Sequence, residues 1–248
     1  MKLFGLVGYP LGHSFSKGYF ENKFVSEDIK DADFLNFELE SLDGLRELIN
    51  RNPQLKGFTV TIPHKISMLP IVDEITDEVR KIGALNVVKI KRQNNKIHLT
   101  GYNTDVFGFE KSLLEQIQPN HKQALVLGKG GSANAVGFVL KKLGINCLFV
   151  SRSTKDENTI SYSNLTEEII HSCLLIINTT PLGMFPEVET CPNIPYQYLT
   201  DKHFLFDLVY NPEQTLFMQK GTEQGARVCN GYDMLCYQAE EAWEIWNK

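Results

Sequence analysis

Short runs of apolar residues alternate along this chain with stretches in which apolar residues recur every three or four positions. The runs predict buried strands, and the periodic stretches predict helices that pack one face on a sheet. Strands are predicted at 3–7, 34–39, 57–61, 85–90, 96–100, 124–127, 147–151, 174–178, 204–209 and 227–229. Helices are predicted after Ser16, at 41–50, at 73–82, after Asp105, after Gly130, at 215–224 and from Gly231. The alternation predicts an α/β fold, although the polar segment 153–172 shows no clear pattern.

The run Ala124–Leu127 ends in a glycine-rich turn that precedes one of the predicted helices. Gly128, Gly130 and Ala133 match the pattern Gly-x-Gly-x-x-Gly/Ala of dinucleotide-binding turns. The first glycine permits the turn, the second lets backbone N–H groups approach a pyrophosphate, and the third small residue lets helix and strand pack closely. We therefore expect a dinucleotide at Gly128, Lys129, Gly130, Gly131, Ser132 and Ala133. The alternative is a tight strand–helix turn that binds nothing.

The end of the next predicted strand indicates which dinucleotide is bound. NAD sites carry an acidic residue about 20 residues after the first glycine, where it accepts a hydrogen bond from the ribose 2′-hydroxyl. Here the strand ends in Ser151, Arg152 and Ser153, and Lys155 follows. A guanidinium suits a 2′-phosphate, because it forms several charge-assisted hydrogen bonds to phosphate. NADP is therefore predicted as the cofactor, and an ordinary exposed arginine is the alternative explanation of Arg152.

Composition narrows the range of partners and locations. The chain has 248 residues, of which 42% are hydrophobic, which is enough for a sizeable core in one or two domains. A net charge of −5 without a dense Lys/Arg block argues against nucleic acid or an anionic membrane as partner. We find neither a signal peptide nor an apolar run of membrane-spanning length. The five cysteines are scattered and no His or Cys spacing suits a metal, so we expect free thiols, a cytoplasmic protein and no metal.

Polar residues lie at the ends of predicted strands in the first half of the chain. Pro63 lacks an N–H and disfavours helix at the residue before it, so the strand at 57–61 must end or bend there. Thr61 and Lys65 therefore lie near a strand end, where α/β sheets bind ligands. The polar stretch Gly101–Asp105 likewise directly precedes a predicted helix.

Eight short motifs follow one another along the chain and together resemble a known family. They are Ser14-Phe-Ser16, Thr59-Val-Thr-Ile-Pro-His-Lys65, Gly83-Ala-Leu-Asn86, Gly101-Tyr-Asn-Thr-Asp105, the Gly128 turn, Asn178-Thr-Thr-Pro-Leu-Gly-Met184, Asp207-Leu-Val-Tyr-Asn-Pro212, and Asn230-Gly-Tyr-Asp-Met-Leu235 with Gln238. Their set and order resemble the shikimate dehydrogenases over essentially the whole chain.

The resemblance implies the reversible reduction of 3-dehydroshikimate to shikimate with NADPH, a step of chorismate and aromatic amino-acid biosynthesis. It also implies two α/β domains. The substrate-binding, catalytic domain would comprise residues 1–105 plus 231–248, because the last helix returns to it. A Rossmann NADP-binding domain would comprise residues 106–230. The partner would be a small molecule, and the protein a monomer or homodimer.

The resemblance also implies roles for individual residues. Ser14 and Ser16 resemble ligands of the substrate carboxylate, and Lys65, paired with Asp105, resembles the catalytic residue. Further contacts to the substrate carboxylate or hydroxyls are implied for Thr61, Asn86, Asp105, Tyr210 and Gln238. The nicotinamide side of the cofactor would be lined by Asp77, Met184, Leu208, Gly231 and Met234.

Three positions depart from the family pattern. Lys129 stands where the family commonly has alanine, and Ser151 and Ser153 stand where it commonly has asparagine and threonine. Arg152 keeps the main determinant of NADP binding, whereas the missing asparagine amide leaves the strength of NADP preference open. The role of Lys129 is also open.

The chemistry requires a proton as well as a hydride. Hydride transfer to a ketone leaves an alkoxide, which a lysine can protonate or stabilise. The neighbouring Asp105 favours the charged lysine and burial opposes it, so the sequence leaves the protonation state of Lys65 open.

Structural explanations remain for each of these residues. Lys65 could be a solvated surface lysine, Asp105 a helix N-cap, and Tyr210 a half-buried core residue. Asn86 and Thr61 could form turn or strand hydrogen bonds. We assign His64 a structural role, because Lys65 already fills that of proton donor.

Two rival functions are compatible with the motifs. One is a quinate or quinate/shikimate dehydrogenase that uses NAD. Arg152 argues against NAD, and the small Ser16 argues against quinate, whose users in this family tend to carry threonine there. The other is a catalytically silent dinucleotide-binding protein that regulates a partner, although such a protein would be expected to lack Lys65 or Asp105.

Overall fold

The structure, a computed structural model, describes residues 1–12, 15–94, 96–153 and 158–248. The chain divides into two compact units, Met1–Phe107 with Gln238–Lys248, and Gly108–Tyr237. The predicted domain boundaries lie at 105/106 and 230/231, whereas the units divide at 107/108 and 237/238. Residues 231–237 therefore fall in the second unit.

Strands and helices alternate along the described residues, as the hydrophobic pattern predicts. The strands are β1 (Lys2–Gly8), β2 (Ala32–Glu38), β3 (Leu55–Val60), β4 (Glu74–Ile75), β5 (Val87–Gln93), β6 (Lys96–Tyr102), β7 (Gln123–Leu127), β8 (Asn146–Val150), β9 (Thr159–Ile160), β10 (Leu175–Asn178), β11 (Phe204–Asp207) and β12 (Arg227–Cys229). The helices are α1 (Phe15–Ser26), α2 (Leu45–Arg51), α3 (His64–Ser67), α4 (Asp77–Ile82), α5 (Asp105–Leu114), α6 (Gly131–Lys142), α7 (Glu167–Ser172), α8 (Leu216–Glu223) and α9 (Tyr232–Asn247). Among the described residues, no helix is both long and apolar enough to cross a bilayer.

The first unit is built on a mixed sheet with the strand order β2-β1-β3-β5-β6-β4. Strand β1 pairs in parallel with β2 and β3, whereas β5 runs antiparallel to β3 and β6. Apolar side chains cover both faces of this sheet, with Phe58 and Leu85 in one cluster and Phe4 and Trp246 in the other.

The predicted helix at 73–82 is wrong in its first part. Glu74 and Ile75 form the short strand β4 beside β6, and the Asp73 carboxylate accepts a hydrogen bond from Leu99 N at 2.7 Å. Thr76 then caps α4, where its hydroxyl accepts from Val79 N. The helix thus starts only at the acidic pair Asp77–Glu78, which suits its first turn.

The second unit is built on a parallel sheet with the strand order β12-β11-β10-β7-β8-β9. When β7–β12 are renumbered 1–6 and the sheet is read from β9, the order is 3-2-1-4-5-6, which is that of dinucleotide-binding folds. The strand order reverses between β7 and β10, and such sheets bind ligands at the carboxyl ends of the strands around this point. The segment 153–172, which shows no clear pattern in the sequence, contributes β9 and α7.

The C-terminal part of α9 packs on the sheet of the first unit. The Trp246 ring stacks on Phe4 with centroids 4.9 Å apart, and its Nε1–H donates to the Val88 carbonyl at 3.1 Å. Gly57 in β3 makes room for this ring, because a Cβ there would overlap Trp246 and the Val88 carbonyl. The absence of a side chain at Gly57 therefore provides the space that the Trp246 ring occupies.

This match gives a test of the packing. We expect Gly57→Ala to lower the free energy of unfolding by about 1–3 kcal/mol, the usual range for an overpacked core. Gly18→Ala is the control, because that glycine is exposed in α1, a Cβ there meets nothing, and alanine favours helix. Urea unfolding followed by tryptophan fluorescence suits the measurement, because both tryptophans, Trp243 and Trp246, lie in this unit. Equal unfolding midpoints for the two variants would contradict the packing described.

Candidate functional site

A lysine and a buried aspartate form an ion pair in the first unit. Lys65 lies in α3, just beyond the end of β3, and its Nζ donates to Asp105 Oδ2 at 2.6 Å. The two side chains are 16% and 2% exposed. Lys65 is therefore not a solvated surface lysine. Asp105 is the first residue of α5 rather than its N-cap, and the Asn103 side chain accepts from Val106 N instead.

Asn86, directly before β5, connects this pair to Thr104 before α5 and to Gln238 of α9. Its amide Nδ2 shares its two hydrogens among three acceptors, Asp105 Oδ1 at 2.9 Å, Thr104 Oγ1 at 3.1 Å and Gln238 Oε1 at 3.1 Å. Its Oδ1 accepts from Thr104 N at 2.7 Å. The structure thus brings together four of the residues singled out in the sequence: Lys65, Asn86, Asp105 and Gln238. We call these four the lysine cluster.

Electrostatics explains why the lysine cluster is held so firmly. A buried carboxylate is unfavourable unless a cation and hydrogen-bond donors compensate for lost hydration. Asp105 has an ammonium on one oxygen and an amide on the other. The Lys65 ammonium is thereby fixed in place, and its side chain keeps enough exposure to reach a bound molecule. Such an ammonium can bind an anionic oxygen or exchange a proton with it.

His64, next to Lys65, has a different environment. Its ring is buried, and Nε2 donates to the Leu39 carbonyl at 2.6 Å. This contact suits the structural role assigned from the sequence.

The other predicted residues of the first unit are less strongly connected. Ser16 is half-buried in the first turn of α1, and Ser14 lies outside the described residues. Thr61 is half-buried directly after β3, with its methyl group against Gly8. Asp77 is exposed at the start of α4 and forms an ion pair with Arg80 at 2.6 Å.

The glycine turn of the second unit joins β7 to α6 at the point where the strand order reverses. Gly128 has φ +116°, and a Cβ there would approach Thr179 Oγ1 to 2.6 Å, so only glycine fits without strain. Gly130 is the N-cap of α6 and provides no side-chain cap, and a Cβ on it would point into open space. Gly131 and Ser132 are half-buried and Ala133 is buried against the sheet. The open N-terminus of this helix fits a pyrophosphate.

Two cations lie near this turn. Lys129 Nζ donates to Thr159 Oγ1 at 2.9 Å and sits 4.3 Å from the centre of the Phe149 ring, which ties the turn to β8 and β9. Arg152 is exposed directly after β8, in a bend where Ser153 N donates to Ser151 Oγ at 3.3 Å. An exposed guanidinium beyond the second strand fits a 2′-phosphate. Lys155 lies outside the described residues.

The remaining predicted residues of the second unit lie beyond β10 and β11 or at the start of α9. Met184 is exposed, Leu208 and Tyr210 are half-buried, and Met234 is buried. Gly231 is buried against the backbone of Leu208, where a Cβ would overlap it. A half-buried Tyr210 agrees with a core role as well as with a substrate contact.

Two buried polar residues received no role in the sequence analysis. Asn178 ends β10 and Asp207 ends β11, and Asn178 Nδ2 donates to Asp207 Oδ1 at 2.9 Å. Burial raises the pKa of Asp207 to about 6, against the opposing effect of its hydrogen bonds. A polar residue that ends a buried strand of a parallel sheet is the signal by which both could have been found.

The described residues contain no group of three or more His, Cys, Asp or Glu side chains placed to bind a metal, and their five cysteines are free thiols.

Comparison with known proteins gives consistent matches. The family model described as the shikimate dehydrogenase substrate binding domain matches residues 6–88. The chain is 37% identical to a shikimate dehydrogenase (NADP(+)) of Methanococcus aeolicus over 99% of this chain and 91% of that protein. It is 34% identical to one of Desulforamulus reducens over 98% of this chain and 88% of that protein. The crystal structure of Thermus thermophilus shikimate 5-dehydrogenase in complex with NADP(H) and shikimate matches with a TM-score of 0.85 at 26% identity, covering 99% of this chain and 93% of that one.

The two glycines of the turn allow the pyrophosphate site to be tested separately from the fold. We expect Gly130→Ala to weaken NADPH binding by about tenfold or more, because the new methyl group occupies the space that a phosphate would approach. The fold should change little, since an N-cap substitution costs about 1 kcal/mol or less. Gly128→Ala should instead destabilise the protein by about 1–3 kcal/mol, because its φ is strained for alanine.

Fluorescence titration with NADPH and thermal unfolding measure the two effects. Gly144→Ala, which has φ +70° with nothing near its Cβ, controls for strain alone. If Gly130→Ala bound NADPH as tightly as the unaltered protein, the turn would not hold the pyrophosphate.

Proposed function

This chain belongs to the shikimate dehydrogenase family, and we propose that it catalyses the NADPH-dependent, reversible reduction of 3-dehydroshikimate to shikimate. The observation that carries the proposal is the Lys65–Asp105 ion pair of 2.6 Å, which fixes an ammonium near the end of β3. A protein that binds a dinucleotide without reacting would be expected to lack one member of this pair. The reaction belongs to chorismate and aromatic amino-acid biosynthesis.

The lysine cluster supplies the proton. As the ketone carbon accepts a hydride, negative charge develops on its oxygen, and the Lys65 ammonium stabilises this oxygen and protonates it. Asp105 keeps the ammonium oriented, and Asn86 keeps the carboxylate in place. In the oxidative direction, neutral Lys65 accepts the proton of the hydroxyl. Fixed geometry matters because a misplaced proton donor loses much of the rate advantage of proximity.

The substrate is a polyhydroxylated carboxylic acid, and we assign its contacts from the resemblance. Ser14 and Ser16 bind the carboxylate, and Thr61, Asn86, Asp105, Tyr210 and Gln238 bind the carboxylate or the ring hydroxyls. Asn86 and Gln238 suit this role because their amides already meet beside Asp105. The NH2 group of Gln238 can donate to a hydroxyl group, whereas the hydrogens of Asn86 Nδ2 are already shared among three acceptors.

The second unit would hold the cofactor. The turn Gly128–Ala133 and the N-terminus of α6 bind the pyrophosphate, and Arg152 with Ser151 and Ser153 binds the 2′-phosphate. By the resemblance, the residues that would line the nicotinamide side are Asp77, Met184, Leu208, Gly231 and Met234. When bound, NADPH supplies the hydride. The same proposal includes the domain roles and a monomeric or homodimeric state. It also includes a cytoplasmic location, which is in keeping with five free thiols.

Initial rates with two substrates and two cofactors test the proposal against its rivals. We expect the purified protein to reduce NADP with shikimate at a kcat/KM well above that of any other pairing among shikimate, quinate, NADP and NAD. A 2′-phosphate bound by arginine gives about tenfold or more in cofactor preference. Faster reaction of quinate with NAD would favour the quinate dehydrogenase. Absence of reaction from folded protein that binds NADPH would favour the regulatory protein.

Substitutions in the lysine cluster test the assignment of the proton donor. We expect Lys65→Met and Asp105→Asn each to lower kcat by at least about 100-fold, the lower end of general acid–base contributions. Lys56→Met is the control, because Lys56 is an exposed lysine of β3 outside the cluster. Steady-state kinetics with circular dichroism of each variant gives the comparison. Near-native kcat in a folded Lys65 variant would remove Lys65 from the mechanism.

A further inference from the structure

Asp207 lies at the centre of a fully buried hydrogen-bond network in the second unit. Its Oδ1 accepts from Asn178 Nδ2 at 2.9 Å and from Val209 N at 3.0 Å, and its Oδ2 accepts from Thr215 Oγ1 at 2.6 Å. Asp207, Asn178 and Thr215 have no exposed surface. Within the described part of the chain these partners are all neutral, so the carboxylate is stabilised by donors rather than by a counter-charge.

The network continues from Asn178 into the loop after β10. Asn178 Oδ1 accepts from Thr180 N at 3.0 Å and from Thr180 Oγ1 at 2.6 Å, and Leu182 N donates to Thr180 Oγ1 at 3.3 Å. Asn178 Nδ2 also points to the Leu182 carbonyl at 3.4 Å. Residues 179–184 are therefore held at one end by the amide that Asp207 orients.

The network also fixes the loop after β11. Val209 N donates to Asp207, and Leu208 N donates to the Asn178 carbonyl at 2.9 Å. Thr215 is in turn the N-cap residue of α8, and its Oγ1 accepts a hydrogen bond from Met218 N at 3.3 Å. One carboxylate thus connects two strand-end loops and a helix start.

These two loops carry Met184, Leu208 and Tyr210, and on the proposed function the first two line the nicotinamide. The residues assigned to the pyrophosphate and 2′-phosphate lie on other segments, around Gly128 and Arg152. We propose that Asp207 is a positioning residue for the nicotinamide half of the cofactor: its ionised carboxylate holds residues 179–184 and 208–210 in the conformation that binds it. This inference rests on the proposed function and adds to it a residue that does not touch the cofactor.

The ionised form is the one that suits the network, because all three groups that face its oxygens are donors. A protonated carboxyl group would have to donate through one oxygen and would lose at least one of these bonds. Burial raises the pKa of Asp207 to about 6, so the carboxylate is ionised at pH 8 and increasingly protonated as the pH falls below 6. Asp207 influences the Tyr196 phenol, whose pKa is raised chiefly by burial and which therefore stays neutral over this range.

Two ligands separate positioning from general destabilisation. NADPH contains both halves of the cofactor, whereas adenosine 2′,5′-bisphosphate contains only the adenine half with its 2′-phosphate. We expect Asp207→Asn to raise the Kd of NADPH by about tenfold or more at pH 8 and to leave that of the bisphosphate unchanged, because an asparagine has one acceptor oxygen where two are needed. Thr215→Val should act in the same direction, and Thr215→Ser, which keeps the hydroxyl, should restore NADPH binding.

Thr222→Val is the matched control, because it makes the same change in α8 at a hydroxyl that donates to the Met218 carbonyl outside the network. The ratio of the two Kd values also gives the pH dependence when the unaltered protein is compared with Asp207→Asn, because the titration of the ligands' own phosphates, including the 5′-phosphate monoester of the bisphosphate, is common to both proteins. Relative to Asp207→Asn, the preference of the unaltered protein for NADPH should fall as the pH is lowered from 8 to 5.5.

Equal weakening of both ligands, or unchanged binding of NADPH in folded Asp207→Asn or Thr215→Val, would overturn the inference. If Asp207→Asn does not fold, the threonine pair gives the same comparison. These are binding measurements without substrate, so they can fail while the dehydrogenase activity stands. Conversely, absence of shikimate-dependent activity in the unaltered protein would remove the proposed function and leave the binding results intact.

Discussion

The burial of the Asp105 carboxylate is the constraint on which the proposed catalytic site depends. A carboxylate removed from water must be compensated by charge and hydrogen bonds, and here Lys65 and Asn86 provide them. These residues come from α3, the position directly before β5 and the start of α5, so satisfying one carboxylate brings three segments into a single arrangement. The ammonium that the chemistry needs is held by the same contacts that make burial of the acid possible.

The second unit uses a related arrangement for a different purpose. Asp207 is buried at the end of β11 and receives an amide from Asn178, as Asp105 receives one from Asn86. Asp105 has a lysine on its other oxygen, whereas Asp207 has the hydroxyl of Thr215. An acid paired with an ammonium can take part in proton transfer. Asp207 lies among neutral donors that belong to two loops, and we infer that it holds the backbone of these loops in place.

Much of the fold follows from hydrophobic periodicity, because long apolar runs and amphipathic stretches have few alternative structures. The pattern is less informative where elements are short. Strand β4 has two residues and is held by the Asp73 carboxylate, which accepts a hydrogen bond from Leu99 N, a contact between segments far apart in sequence.

The site, like the fold, is only partly predictable from local sequence. Motifs single out Lys65, Asn86 and Asp105, but the meeting of Asn86 with Gln238 joins residues 152 positions apart, and no local pattern encodes it. Asp207 opens one of the motifs, but its role depends on Asn178 and Thr215, which the fold brings to it.

Chemical rescue tests the central claim most directly. If the Lys65 ammonium supplies the proton, Lys65→Ala leaves a gap beside Asp105 that a small primary alkylamine can enter as its ammonium ion. The account predicts that methylamine raises the reduction rate of this variant in a saturable manner and leaves the rate of the unaltered protein unchanged. A Lys65→Ala rate that does not depend on amine concentration, or that already equals the unaltered rate, would contradict the account.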